Sequence, residues 1–173
     1  TVDDVAAARI VADLSCNYAF LCREMGEYDR AEELLGRTIE IRESTLGNDH
    51  PDTVAARNDL AIVLQDKGDF ARAETLLDET YALTTNRFGP SSIRAATARR
   101  NRAILHRAQG EYGAAERAYL DALDTLERLC GTNHPDVAGI QNDCAVLYRM
   151  LREYPAAEAE IAGMDPIVDP DLV

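Results

Sequence analysis

Tryptophan is absent from this chain, lysine occurs once (Lys67) against seventeen arginines, and 173 residues include only six prolines and ten glycines. So little proline and glycine, beside 46% apolar residues, excludes a disordered or collagen-like polymer and predicts a folded, soluble domain. No run approaches the roughly 18 uninterrupted apolar residues of a membrane span. The opening Thr1-Val2-Asp3-Asp4 lacks the basic start of a secretory signal, and the missing initiator Met reads as an excised or processed segment. Cys16, Cys22, Cys130 and Cys144 show no CxxC spacing, and all but Cys130 fall in helical patterns. They read as small apolar fillers in a reducing compartment, the cytoplasm, with no metal or other cofactor expected.

Positive charge is scarce too. Eighteen basic residues against 31 acidic ones give a net charge of −13. Nucleic acid and anionic membranes select clustered Lys and Arg, so neither is an expected partner. The average conceals one basic stretch. From Thr80 to Gly110 there is no Asp or Glu, yet Arg87, Arg94, Arg99, Arg100, Arg102 and Arg107 lie there.

What the chain does have is a repeat. A step of 42 residues carries Gly26-Glu27-Tyr28 to Gly68-Asp69-Phe70, to Gly110-Glu111-Tyr112 and to Arg152-Glu153-Tyr154. The same step carries Ala19 to Ala61, Ala103 and Ala145, and Ala31 to Ala73, Ala115 and Ala157. Such self-similarity marks a stacked solenoid whose units bury their apolar faces against their neighbours. Apolar periodicity predicts helices over Asp3 to Met25, Tyr28 to Thr45, Asp52 to Lys67, Phe70 to Phe88, Ile93 to Gln109, Tyr112 to Cys130 and Pro135 to Leu151. A short eighth, Pro155 to about Gly163, stops at Asp165-Pro166. The alanines let paired helices approach closely, and glycine ends a helix without a left-handed penalty.

These residues resemble tetratricopeptide repeats, and more narrowly the long 42-residue variety of kinesin light chains. The segments that carry the likeness are Asn58-Asp59-Leu60-Ala61, Glu40-Ile41-Arg42-Glu43 and Leu46-Gly47-Asn48-Asp49-His50-Pro51-Asp52. The resemblance implies an all-α, right-handed superhelix of about four helix-turn-helix repeats, near 10–47, 52–89, 94–131 and 136–164. One domain then spans 1–164, with a C-terminal tail over 165–173. The sequence departs from the pattern where Arg102 replaces the apolar residues Tyr18, Leu60 and Cys144, where the third loop lacks His-Pro, and where Arg152 replaces the turn glycine.

In that family the first helices of successive repeats line a concave groove for extended or helical peptides. The expected groove residues are Arg23, preceded by Cys16 and Phe20, then Asn58, Ile62 and Gln65, then Arg100, Ile104 and Arg107, then Asn142, Val146 and Arg149. Amides bond a ligand backbone, apolar side chains form shallow pockets, and Arg pairs with carboxylates, so the implied partner is a protein or peptide segment of acidic character. Asn17 and Asn101 match an Asn of the carboxylate-clamp subfamily, but that clamp's lysines have no equivalent.

Catalytic patterns do not emerge. His50-Pro51-Asp52 and His134-Pro135-Asp136 spell the co-chaperone tripeptide, yet they recur two repeats apart in the same loop and read as structural. His106 reads as a packed helix residue. No phosphate loop, nucleophile elbow or zinc-protease motif is present, and acidic pairs such as Glu32-Glu33 fall on outward-facing second helices. The chain therefore reads as a non-enzymatic peptide-binding scaffold. One alternative is a ligand-sensing regulatory module of a larger bacterial signalling ATPase or transcription regulator. The other is self-assembly into a homo-oligomer through the solenoid ends or the tail.

Overall fold

The computed structural model describes residues 2–153, with the side chains of residues 6–152. Seven helices occupy the described residues: α1 (Val2–Glu24), α2 (Tyr28–Leu46), α3 (Pro51–Lys67), α4 (Phe70–Phe88), α5 (Ile93–Gln109), α6 (Tyr112–Cys130) and α7 (Pro135–Glu153). They match the predicted spans to within one or two residues. The expected eighth helix and the tail lie outside the described residues. Each helix packs on the next in sequence, and α3 with α5 and α5 with α7 also meet, which makes an all-α solenoid of stacked hairpins.

Loop chemistry sets where each helix begins. The His50 ring accepts at Nδ1 from the Asp52 N–H at 3.2 Å while Pro51 occupies the first turn, and His134 does the same for Asp136 at 3.2 Å. The recurring His-Pro-Asp is thus a helix cap. Where the third loop lacks it, the Ser92 hydroxyl accepts from the Ala95 N–H at 3.2 Å. Two glycines per repeat close the helices. Gly68 takes the left-handed conformation (φ 86°, ψ 7°) after a first helix. Gly89 (φ 84°, ψ 155°) follows a second helix in a region essentially open to glycine alone.

The core repeats with the sequence. Leu35 and Val63 share one buried cluster, Leu77 and Leu105 a second, and Tyr119 and Leu147 a third, so each second helix packs on the first helix of the next repeat. Ala19, Ala61 and Ala103, with Ala31, Ala73 and Ala115, are buried where helices approach within a hairpin. Ala145 is exposed, and Ala157, its expected counterpart, lies outside the described residues. Buried Arg42 ties the first hairpin to the second: Nη1 donates to the Asp52 carbonyl and Nη2 to Asp13 Oδ1, each at 2.8 Å. Arg102, the guanidinium at an otherwise apolar position, pairs with Asp78 at 2.8 Å and lies 5.3 Å over the Tyr81 ring. Its stem and flat head fill the place of the apolar residue, so the third repeat keeps its packing.

Candidate functional site

One face of the solenoid is built by the first helices α1, α3, α5 and α7 at positions repeating every 42 residues. Side chains bridge neighbouring helices along it. Arg23 Nε lies 3.3 Å from Asp66 Oδ2, joining α1 to α3. Arg100 Nε donates to Asp143 Oδ2 at 2.6 Å, joining α5 to α7, and its Nη2 lies 3.4 Å from the Gly139 carbonyl. A Cβ at Gly139 would sit 3.3 Å from the Arg100 Nη atoms, so the missing side chain makes room for that guanidinium. Arg107 Nη1 lies 3.8 Å from Met150 Sδ.

The predicted groove residues divide into those already engaged and those left open. Arg23 is held by Asp66 and Glu24 and lies 5.4 Å over Phe20, and Arg100 is held by Asp143. By contrast Asn58 Oδ1 and Arg107 Nε are buried without a hydrogen-bond partner. Asn142 and Arg149 are exposed, and Arg149 meets no acid within ion-pair distance among the described residues. Ile62, Gln65, Ile104 and Val146 are half-buried between these polar groups, and Ile104 packs on the cluster around Tyr119.

Sequence reasoning missed the acids of this face. Asp59, Asp66 and Asp143 stand beside the predicted positions and place carboxylates among the arginines. The signal was present in the run Asn17, Asp59, Asn101, Asp143, an amide and an acid alternating at the repeat spacing. It lies one residue from the positions chosen.

Between α1 and α3 the face opens into a recess of about 220 Å³, lined by Cys16, Asn17, Phe20, Arg23, Asp59 and Val63 among others. Asp59 is open to solvent at the mouth, but the walls strip water from the carboxylate. That desolvation raises its pKa above the ordinary value, against the opposing pull of Arg42 and Arg23. Burial likewise pushes up the Cys16 thiol. A second recess, beside Glu74, Asp78, Arg102 and His106, encloses only about 10 Å³, the space of a single water. His106 is half-buried there and its Nδ1 lies 2.7 Å from Glu111 Oε2.

A separate charge network joins α2 to the end of α3 and the start of α4. Glu32 accepts from Arg72 at 2.6 Å and from Lys67 at 2.9 Å, which holds its carboxyl below the usual range. The described residues contain no group of three or more His, Cys, Asp or Glu arranged to hold a metal ion. No helix among them is long and apolar enough to cross a membrane.

Comparison with known proteins agrees with this architecture. The tetratricopeptide repeat family model matches residues 10–86, 55–127 and 93–160, and the chain belongs to that family. In fold, the chain resembles solved kinesin light chain-like repeat structures. A solved protein described as a kinesin light chain of Podosopora anserina, with nearly identical TPR-like repeats, superposes with a TM-score of 0.65 at 20% identity, over 92% of this chain and 80% of that one. BtubC (BKLC) from P. vanneervenii superposes with a TM-score of 0.63 at 22% identity, over 84% of this chain and 65% of that one. At these identities the likeness is one of fold. No curated protein matches the chain in sequence.

Proposed function

We propose that this chain is a cytoplasmic protein- or peptide-binding scaffold rather than an enzyme, and that its first-helix face receives an extended or helical segment of a partner. The observation that carries this reading is the set of polar side chains on that face that meet no carboxylate of the described residues: Asn142 and Arg149 exposed, and Asn58 and Arg107 half-buried, beside half-buried Ile62, Ile104 and Val146. Amide and guanidinium groups that reach a shared face can bond a ligand's backbone and carboxylates. The face stands on packed helices, so binding orders few side chains. Acidic character in the ligand is read by Arg107 and Arg149, because Arg23 and Arg100 are committed to carboxylates of the chain itself.

The test is selection from a random peptide library on the whole chain, beside an Arg107→Glu, Arg149→Glu variant of equal thermal stability, at two salt concentrations. Enrichment of acidic peptides that disappears in the variant and weakens at high salt supports the reading. Equal enrichment on both proteins removes it.

A second reading, self-assembly, is favoured by one observation. In the series Leu21, Val63, Leu105, Leu147, the last three are 2%, 3% and 0% exposed under the preceding second helix, whereas Leu21 is 55% exposed. Ile10, Val11 and Leu14 extend the same apolar stripe along α1, and Met25 just beyond its end continues it. The occupant that fits is a second copy of the chain, since Ile161 continues the series Leu35, Leu77, Tyr119 that covers those positions elsewhere. Ile161 lies outside the described residues.

A further inference from the structure

The repeat allows one junction of the first-helix face to be compared with another, residue for residue. Positions 16, 58, 100 and 142 are equivalent, as are 17, 59, 101 and 143. At the α5–α7 junction these positions hold Arg100 and Asp143, bonded at 2.6 Å, with the guanidinium seated against the Gly139 carbonyl. At the α1–α3 junction they hold Cys16 and Asp59. The carboxylate is kept and its guanidinium is gone. The recess of about 220 Å³ occupies that junction, with Cys16 and Asp59 both in its wall.

The remaining charges around Asp59 are already matched. Arg23 is engaged by Asp66 at 3.3 Å and Glu24 at 2.8 Å, and Arg42 by Asp13 at 2.8 Å. Two cations thus stand against four carboxylates, and among the described residues Asp59 alone of the four has neither a hydrogen bond nor an ion pair. Asn17 adds an amide oxygen to the wall, while the Phe20 ring, 55% exposed, already carries the Arg23 guanidinium at 5.4 Å. The walls also hold Val63, Ala19 and Leu35, which suit the methylene stem of a long basic side chain.

We infer that the α1–α3 recess is a subsite for a cationic side chain, lysine or arginine, of the bound segment, with Asp59 as its carboxylate and Asn17 as its flanking contact. The inference rests on the first-helix face being the binding face, and it adds a second element to the ligand: a basic residue at the α1 end, where Arg107 and Arg149 select an acidic one at the other. Desolvation of Asp59 belongs with this role, since a carboxylate that has lost water gains most from an incoming cation. Ala55 replaces Gly139 in the equivalent place, so the ligand's cation enters from the open mouth rather than along the helix.

Two measurements on the full chain decide it. In the first, library peptides selected on the wild type are compared with copies in which each Lys or Arg is replaced by norleucine, and both sets are titrated against the wild type and Asp59→Asn. The subsite predicts that one cationic position matters, that its loss weakens binding about tenfold, and that Asp59→Asn weakens the parent peptide equally but the norleucine peptide hardly at all. Lys-only and Arg-only peptides distinguish the two side chains. Peptides that bind both proteins alike overturn the subsite and leave the groove standing, provided Arg107→Glu, Arg149→Glu still abolishes them. The second measurement needs no peptide. Backbone amide shifts are followed while n-butylammonium or n-propylguanidinium is added at millimolar concentration. Shifts confined to Asn17, Phe20, Asp59 and Val63 and lost in Asp59→Asn support the subsite even where no library peptide is enriched. No shifts there in the wild type overturn it.

Discussion

Arg100 and Asp143 meet at 2.6 Å across α5 and α7, and the residues two repeats earlier, Cys16 and Asp59, leave the same junction open. One solenoid therefore contains both the filled and the empty form of a single arrangement. The filled form shows what geometry the fold permits, and the empty form is the proposed subsite for the missing group.

The double substitution Cys16→Arg, Ala55→Gly recreates the filled form at the α1–α3 junction. A glycine inside a helix costs about 1 kcal/mol, and an ion pair of partial exposure recovers up to about 1 kcal/mol. Thermal stability should change little. Binding of cationic peptides should fall about tenfold, the loss expected when one charge-assisted bond is blocked. A titration of one selected peptide against both proteins checks it, and undiminished affinity would contradict the equivalence of the two junctions.

Tyr119 makes stability sensitive to alkali. Its ring is fully buried, and burial pushes its pKa from 10.0 to about 12, aided by the nearby Asp143 charge and opposed by Arg107 beside the hydroxyl. Cys144 is pushed from 9.0 to about 11, again chiefly by burial. Both groups are acids that the fold keeps neutral. Above the unfolded pKa the unfolded chain sheds the proton and the folded chain does not. The stability contributed is thus intact below about pH 9 and is lost as pH rises through 9–11 for Cys144 and 10–12 for Tyr119. Two pKa units correspond to about 2 to 3 kcal/mol for Tyr119. Urea midpoints measured from pH 8 to 12 should fall steadily, and Tyr119→Phe should flatten the part of the fall above pH 10.

The stripe on α1 predicts an effect on mass. If a second copy covers Leu14 and Leu21, the wild type should show a concentration-dependent mass above one chain. Leu14→Glu, Leu21→Glu should return it to one chain with the helical content unchanged, since both side chains are more than half exposed. Equal masses for the two proteins at every concentration would remove the self-assembly reading.

Most of the fold was legible in the sequence because a solenoid writes its packing into a period. The alanines, the turn glycines and the His-Pro-Asp loops recur every 42 or 84 residues, and in the first three repeats the alanines are buried as their recurrence implied, while both His-Pro-Asp loops cap helices. The site was harder to read. Groove positions follow from the helical step, but whether an arginine there is free depends on a carboxylate one turn away on another helix. Arg100 and Arg149 look alike in sequence. Only the packing of α5 on α7 brings Asp143 to the first, while the second meets no acid among the described residues. Asp59 escaped notice for the same reason, because its distinction is a partner that is missing.

The central claim, that the first-helix face is the binding face, is tested most directly by mapping backbone amide shifts of the full chain as a library-selected peptide is added. The account predicts that the largest shifts fall on Asn58, Ile62, Gln65, Ile104, Arg107, Val146 and Arg149. Shifts concentrated instead on the second helices, around Glu32 and Arg72, with the first-helix face silent, would contradict it.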